Sequence, residues 1–267
     1  MPARLRRLPA LLLALAAVLL APFAAADAAD APAAAAAAGP VVVAGAGGRT
    51  GRLVVRELVA AGVRVRALVR DPAGARFPAG VEVLAADARD PGTLAAPLTG
   101  ASALVISIGA RRAEAGNGPE QVDFGGVRNL ATAAAAAGVG QVVLVSSAGV
   151  TREDHPLNRL FDDVLRWKAR GEDAVRAAGV PYTIIRPGGL TDADDGPGAI
   201  RLDQGDDGTG FIPRADVARL CVAALREPAA RNRSFEAYAA GGPAPVDYPR
   251  LFGALVADTP PETTDGR

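Results

Sequence analysis

The residues best suited to chemistry lie in 41–55, VVVAGAGGRTGRLVV, where Gly45, Gly47, Gly48 and Gly51 interrupt an apolar β-branched run. Glycines at this spacing allow positive φ and a close approach of backbone to ligand. Arg49 and Thr50 stand just ahead of Leu53, Val54, Leu58 and Val59, which recur at helical spacing. The order is therefore strand, glycine turn, helix. Free amides and the dipole at a helix start favour a diphosphate at that turn. About 20 residues further on, a dinucleotide-binding unit presents the side chain that meets the adenosine ribose. Here that strand end is Arg70-Asp71-Pro72, so Arg49 and Arg70 bring two guanidiniums towards the ribose. Guanidinium favours a 2′-phosphate, which makes NADP the expected cofactor and NAD the alternative, with Asp71 available for a bare hydroxyl.

Other chemistries have little material to work with. Cys221 is the single cysteine and His155 the single histidine of 267 residues. An intrachain disulfide is impossible, and no Cys/His metal site is expected. A Ser-His-Asp triad would depend on His155, which sits in the loop-like stretch REDHPLN. Formal net charge is zero, so nothing electrostatic favours nucleic acid or an anionic membrane; a small-molecule substrate is the expected partner.

The elements that must position these residues alternate. Strands are expected at 41–43, 64–69, 81–85, 103–106, 141–145, 181–186 and 235–239, and helices just after Thr50, at 93–98, 121–137, 157–178, after Arg214 or Ala215 with Asp216 in the first turn, and at 248–256. This alternation predicts an α/β fold, a Rossmann-like doubly wound parallel sheet in one domain over 40–256. The acidic, glycine-rich 192–210 reads as a flexible loop, and 257–267 as a polar tail. Ligands of such sheets sit beyond the carboxyl ends of the strands, which points to Ser146 and Ser147 after 141–145. Residues 1–26 combine Arg4, Arg6 and Arg7, an apolar run and Ala24-Ala25-Ala26 in the pattern of a cleaved signal or transit peptide. Export to a periplasm and import into a plastid are the two destinations; an uncleaved leader would be the sole route to a membrane. Residues 27–39 are an alanine-rich linker.

The G-x-x-G-x-x-G of Gly45, Gly48 and Gly51 resembles the fingerprint of atypical short-chain dehydrogenase/reductases, in the branch of NmrA-like and biliverdin/flavin reductase-like proteins. Further matches are Val122, Asp123, Gly126 and Asn129 in VD-x-x-G-x-x-N, QVVLVSSAGV, YTIIRPGGL, and FIPRADVA with Asp216. The resemblance implies that Asp87 and Ala88 lie against the adenine. It also implies that the backbone of Ser107, Ile108 and Gly109 follows the cofactor, that Ser146 and Ser147 face the nicotinamide, and that Pro187, Gly188 and Gly189 close over it. Lys168 would bind the nicotinamide ribose, and Ser147 and Lys168 are the candidate catalytic residues. The family's Tyr-x-x-x-Lys is incomplete: Val164 stands four residues before Lys168. Without that proton donor, the resemblance implies NADPH-dependent hydride transfer to a flat acceptor such as a quinone or flavin. A nucleotide sensor and an assembly factor are the alternatives. A valine at Gly45 or Gly48 is expected to block the diphosphate and leave the protein folded.

Overall fold

The computed structural model describes residues 39–110, 116–193, 197–243 and 246–259. The leader, most of the alanine-rich linker and the last residues of the tail lie outside them.

Ten strands follow in chain order: β1 (Val41–Ala44), β2 (Val65–Val69), β3 (Glu82–Ala85), β4 (Ala103–Ile106), β5 (Val142–Val145), β6 (Tyr182–Pro187), β7 (Gly189–Thr191), β8 (Gly198–Asp203), β9 (Phe211–Pro213) and β10 (Arg233–Pro243). The helices are α1 (Arg49–Ala60), α2 (Ala95–Leu98), α3 (Val127–Ala136), α4 (Pro156–Leu160), α5 (Val164–Ala177), α6 (Arg214–Arg226) and α7 (Tyr248–Gly253). Eight strands make one sheet in the order β3-β2-β1-β4-β5-β6-β10-β8. Neighbours from β3 to β10 are parallel, and β8 closes the edge antiparallel to β10. The chain reverses its direction of winding between β1 and β4. A crevice opens at such a switch point.

Pleating explains both cores. Val41 and Val43 of β1 face one layer with Val54, Val55 and Leu58 of α1 and Val217, Leu220 and Cys221 of α6. Val42 and Ala44 face the other, with Leu94, Leu98 of α2 and Leu130, Ala131, Ala134 of α3. Continuous apolar strands are what a sheet covered on both faces requires.

Several elements differ from the sequence expectation. The helix foreseen over 121–137 begins as a π-helical turn, Glu120–Gly126, before α3. The helix foreseen over 157–178 is broken into α4 and α5, because Asp162 and Asp163 adopt positive φ of 48° and 56°. The 192–210 loop contains β8, whose amides find partners on β10; its acids concealed an edge strand. β7 and β9 form a small separate parallel pair. The tail is not wholly external either. Asp258 accepts from Ser234 N–H at 2.9 Å and from the Tyr182 hydroxyl at 3.0 Å, so the domain extends beyond 256. No described helix is long and apolar enough to cross a membrane.

Candidate functional site

A cleft of about 1020 Å³ runs along the carboxyl ends of β1, β2, β4, β5 and β6. Its centre is the turn between β1 and α1. Gly45 has φ +80°, and a Cβ there would lie 2.2 Å from the Ser107 carbonyl oxygen. A Cβ at Gly51 would meet the Gly45 oxygen at the same 2.2 Å. These two glycines let strand, turn and helix pack. Gly45, Gly47 and Gly48 line the cleft, and Gly47 is the open position: a Cβ there would meet only the Val69 side chain, at 3.6 Å, whereas one at Gly48 would stand 3.1 Å from the Gly45 oxygen. Gly48 caps α1 with no side-chain hydrogen bond, so no side chain competes for the helix-start amides. That is a cradle for a diphosphate.

At one end of the cleft stand Arg70, Asp87 and Ala88. Arg70 reaches Asn117 Oδ1 at 3.5 Å, and its charge also acts on Asp87. Asp87 is committed: Arg89 Nε donates to its Oδ1 at 3.0 Å, and this hydrogen bond holds the carboxyl below the usual carboxylate range. Asn129 supports the same wall by donating to the Ala88 carbonyl at 3.0 Å.

At the opposite end the walls are Ser107, Ile108 and Gly109 after β4, Ser146 and Ser147 after β5, and Pro187 and Gly188 at the end of β6. Ser146 Oγ is buried and has no hydrogen-bond partner among the described residues, a polar atom able to meet a ligand group. Ser147 Oγ donates to the Ala148 carbonyl at 3.0 Å. Lys168 projects into this end from α5, and its Nζ is 2.7 Å from Oδ1 of Asp123, whose side chain is wholly buried. The other carboxylate oxygen accepts from Ala110 N–H at 2.9 Å. Gly171 makes this reach feasible. A Cβ there would come within 2.4 Å of the Asp123 carbonyl, so its absence lets α5 close on the π-helical turn. Such π-turns are frequent at functional sites.

The cleft thus gathers the anticipated residues, with two corrections. Gly51 lies behind the glycine turn. Gly189 is also outside the cleft wall, since a Cβ on it would strike the Phe211 ring at 2.4 Å; it serves packing of β7 on β9. Arg49 does line the cleft, but its guanidinium pairs with Asp192, which Arg214 also holds at 2.8 Å. The sequence reading missed Asp123 as a partner for Lys168, and missed Arg89, Asp192 and Arg214. Only Arg89 left a trace, two residues from Asp87. His155 stands elsewhere: its Nδ1 accepts from Leu157 N–H at 3.2 Å and caps α4. Asp216 sits buried in the first turn of α6, accepting from Arg219 at 2.7 Å, a structural anchor.

Glycine cradle, switch-point cleft and helix-start amides define a dinucleotide-binding protein. Residues 45–228 match the NAD(P)H-binding family, and the chain belongs to it, within the atypical short-chain dehydrogenase/reductases. The chain is 34% identical to sanguinarine reductase of Eschscholzia californica, over 80% of this chain and 95% of that protein. An uncharacterised chloroplastic protein of Arabidopsis thaliana is 38% identical over 73% of this chain and 68% of its own length. Among solved structures, the anaerobilin reductase ChuY of Escherichia coli O157:H7 superposes with a TM-score of 0.64 at 26% identity, covering 77% of this chain and 100% of that one.

Proposed function

We propose that this protein is an NADPH-dependent reductase that passes hydride to a flat, largely apolar acceptor, a quinone, a flavin or a related conjugated ring system. The observation that carries the reading is the nicotinamide end of the cleft: Ser146, Ser147 and Lys168 line it, and no tyrosine does. None of the chain's three tyrosines lines the cleft: Tyr182 and Tyr248 belong to other parts of the fold, and Tyr238 packs behind Gly188 from β10. A bound reduced nicotinamide supplies the hydride. The protein's own residues then bind and orient. Lys168, fixed by Asp123, faces the ribose; Ser146 offers its free hydroxyl; and Leu190, with exposed Phe211 beyond it, gives an acceptor ring apolar surface. With no positioned acid, the proton comes from water, which suits acceptors reducible by hydride alone.

The preference for NADPH rests on Arg70, which is bound only loosely to Asn117 and is free to meet a 2′-phosphate. Arg70→Asp is expected to weaken NADPH more than NADH. The basic, apolar leader is read as a cleaved targeting peptide, and the chloroplastic relative supports a plastid among its two destinations. The deciding experiment is NADPH oxidation by the mature protein with a quinone, free flavin and a simple ketone in parallel. Turnover with the first two and none with the ketone is expected. Tight NADPH binding with no turnover on any acceptor would replace this reading by that of a nucleotide sensor, which the missing tyrosine also suits.

A further inference from the structure

Beside the cofactor cleft lies a second hollow of about 740 Å³, whose wall, among the described residues, carries Arg49, Arg52, Arg56, Arg76 and Arg214 against one carboxylate, Asp192. Five guanidiniums around one acid form a strong local excess in a chain with no formal net charge. The arginines come from separate elements: three lie on successive turns of α1, one lies in the loop after β2, and one opens α6. Their side chains are not spent on one another's neighbours. Arg56 has no ion pair or hydrogen bond among the described residues. Arg52 donates to the Gly47 carbonyl and Arg76 to the Ala73 and Ala75 carbonyls, contacts that leave both charges unneutralised. The floor includes the apolar Leu53, Phe77 and Pro78.

Asp192 already shows what this hollow holds. Its carboxylate receives Arg49 on one oxygen and Arg214 on the other, so an anion from the chain itself spans two of the five. We propose that the hollow is an anion site for a ligand bearing multiple phosphate charges, which displaces Asp192 from Arg49 and Arg214 and engages Arg56 and Arg76 as well. Phosphate is favoured over carboxylate because several guanidiniums converge, and phosphate offers more oxygens for paired N–H donation. Arg49 and Arg214 also line the cofactor cleft, so occupancy of the hollow loosens a clasp on that cleft's wall. The inference rests on the NAD(P)H-binding reading for the identity of the neighbouring cleft. The ligand assigned is a separate phosphorylated molecule; the 2′-phosphate of NADP is the competing source that the test must exclude.

Calorimetric titration of inorganic pyrophosphate into protein saturated with NAD at low salt tests this, since NAD fills the glycine cradle first. Binding is expected, weakened at least tenfold in Arg56→Glu and in Arg76→Glu and tightened several-fold in Asp192→Asn. All three positions are on the surface, and an unchanged thermal melt reports that each variant is folded. Saturation with NADP instead of NAD separates the two sources. Pyrophosphate binding that persists supports a separate ligand, and binding that vanishes gives the arginines to the cofactor's own phosphate and overturns the second site. Absence of pyrophosphate binding, or equal binding by wild type and Arg56→Glu, overturns the site, and an unchanged affinity in Asp192→Asn overturns the displacement. Failure of NAD itself to bind would instead strike the cofactor reading.

Discussion

Glycines that share a motif do different work once their surroundings are known. Gly45 must keep φ +80° and has the Ser107 carbonyl where a Cβ would stand, whereas Gly47 faces the cleft with room for a side chain. Gly45→Val is therefore expected to destabilise the fold and confound a binding assay, contrary to the expectation from spacing. Gly47→Val should unfold at nearly the wild-type temperature and lose NADPH affinity, which paired melting and binding curves would check. The same logic alters how Lys168 must be tested. Removing it leaves Asp123 buried and unpaired, a loss of about 3–5 kcal/mol for a broken buried pair. Lys168→Ala is thus expected to be markedly destabilised, and Lys168→Met with Asp123→Asn to recover much of the loss. With a quinone acceptor, kcat of that double variant should fall by less than the roughly 10²–10⁴-fold that a general acid contributes. A larger fall in folded, NADPH-saturated protein would reveal a proton relay through the pair.

Elements carry the next level. In an ordinary helix Ala is better than Gly by about 1 kcal/mol. At Gly171 in α5 the packing decides otherwise, because a Cβ would stand 2.4 Å from the Asp123 carbonyl of the π-helical turn. Overpacking of this kind costs about 1–3 kcal/mol, which exceeds the propensity gain. Gly171→Ala should therefore lower the denaturation midpoint, and by shifting α5 it should also weaken NADPH binding. A neutral or stabilising effect would mean that α5 and the turn are not tightly docked. The sequence led to both helices in outline. It concealed their breaks, since the positive φ of Asp162 and Asp163 and the π-turn arise from docking on neighbours rather than from local propensity.

Across the whole molecule, a buried polar network ties α5, β6, β10 and the segment after α7 together. Arg186 Nε donates to Glu172 at 3.0 Å, Arg186 Nη1 to Glu236 at 3.1 Å, and Arg176 to Glu172 at 2.9 Å. Tyr182 donates to Asp258 at the edge of this network; burial, then the nearby Asp258 charge, pushes its phenol up to about 12. Burial likewise pushes the Tyr248 phenol up to about 12. A phenol whose folded value is raised keeps its proton more firmly in the fold, so its contribution is complete below about 10, the unfolded value. That contribution is lost as pH rises through 10 to about 12. Stability should fall steeply in that window, and less steeply in Tyr182→Phe, which is itself about 1 kcal/mol weaker for want of one hydrogen bond. Truncation after residue 257 removes Asp258 and should destabilise the protein, which melting of the shortened chain would check.

The alternation of strands and helices, the glycine turn and the missing tyrosine were legible along the chain because each is a local fact. Apolar β-branched runs must be buried on both faces. Glycine spacing marks where backbone approaches a ligand, and the absence of tyrosine near Lys168 is read directly. The pairings were not legible. Asp123 lies 45 residues from Lys168, and Arg49 and Arg214 meet on Asp192 from opposite ends of the domain. An acidic loop and a polar tail look solvated in one dimension. Only the tertiary fold decides which of their carboxylates finds a buried guanidinium, because charge pairing depends on distance in space and on the water that packing excludes.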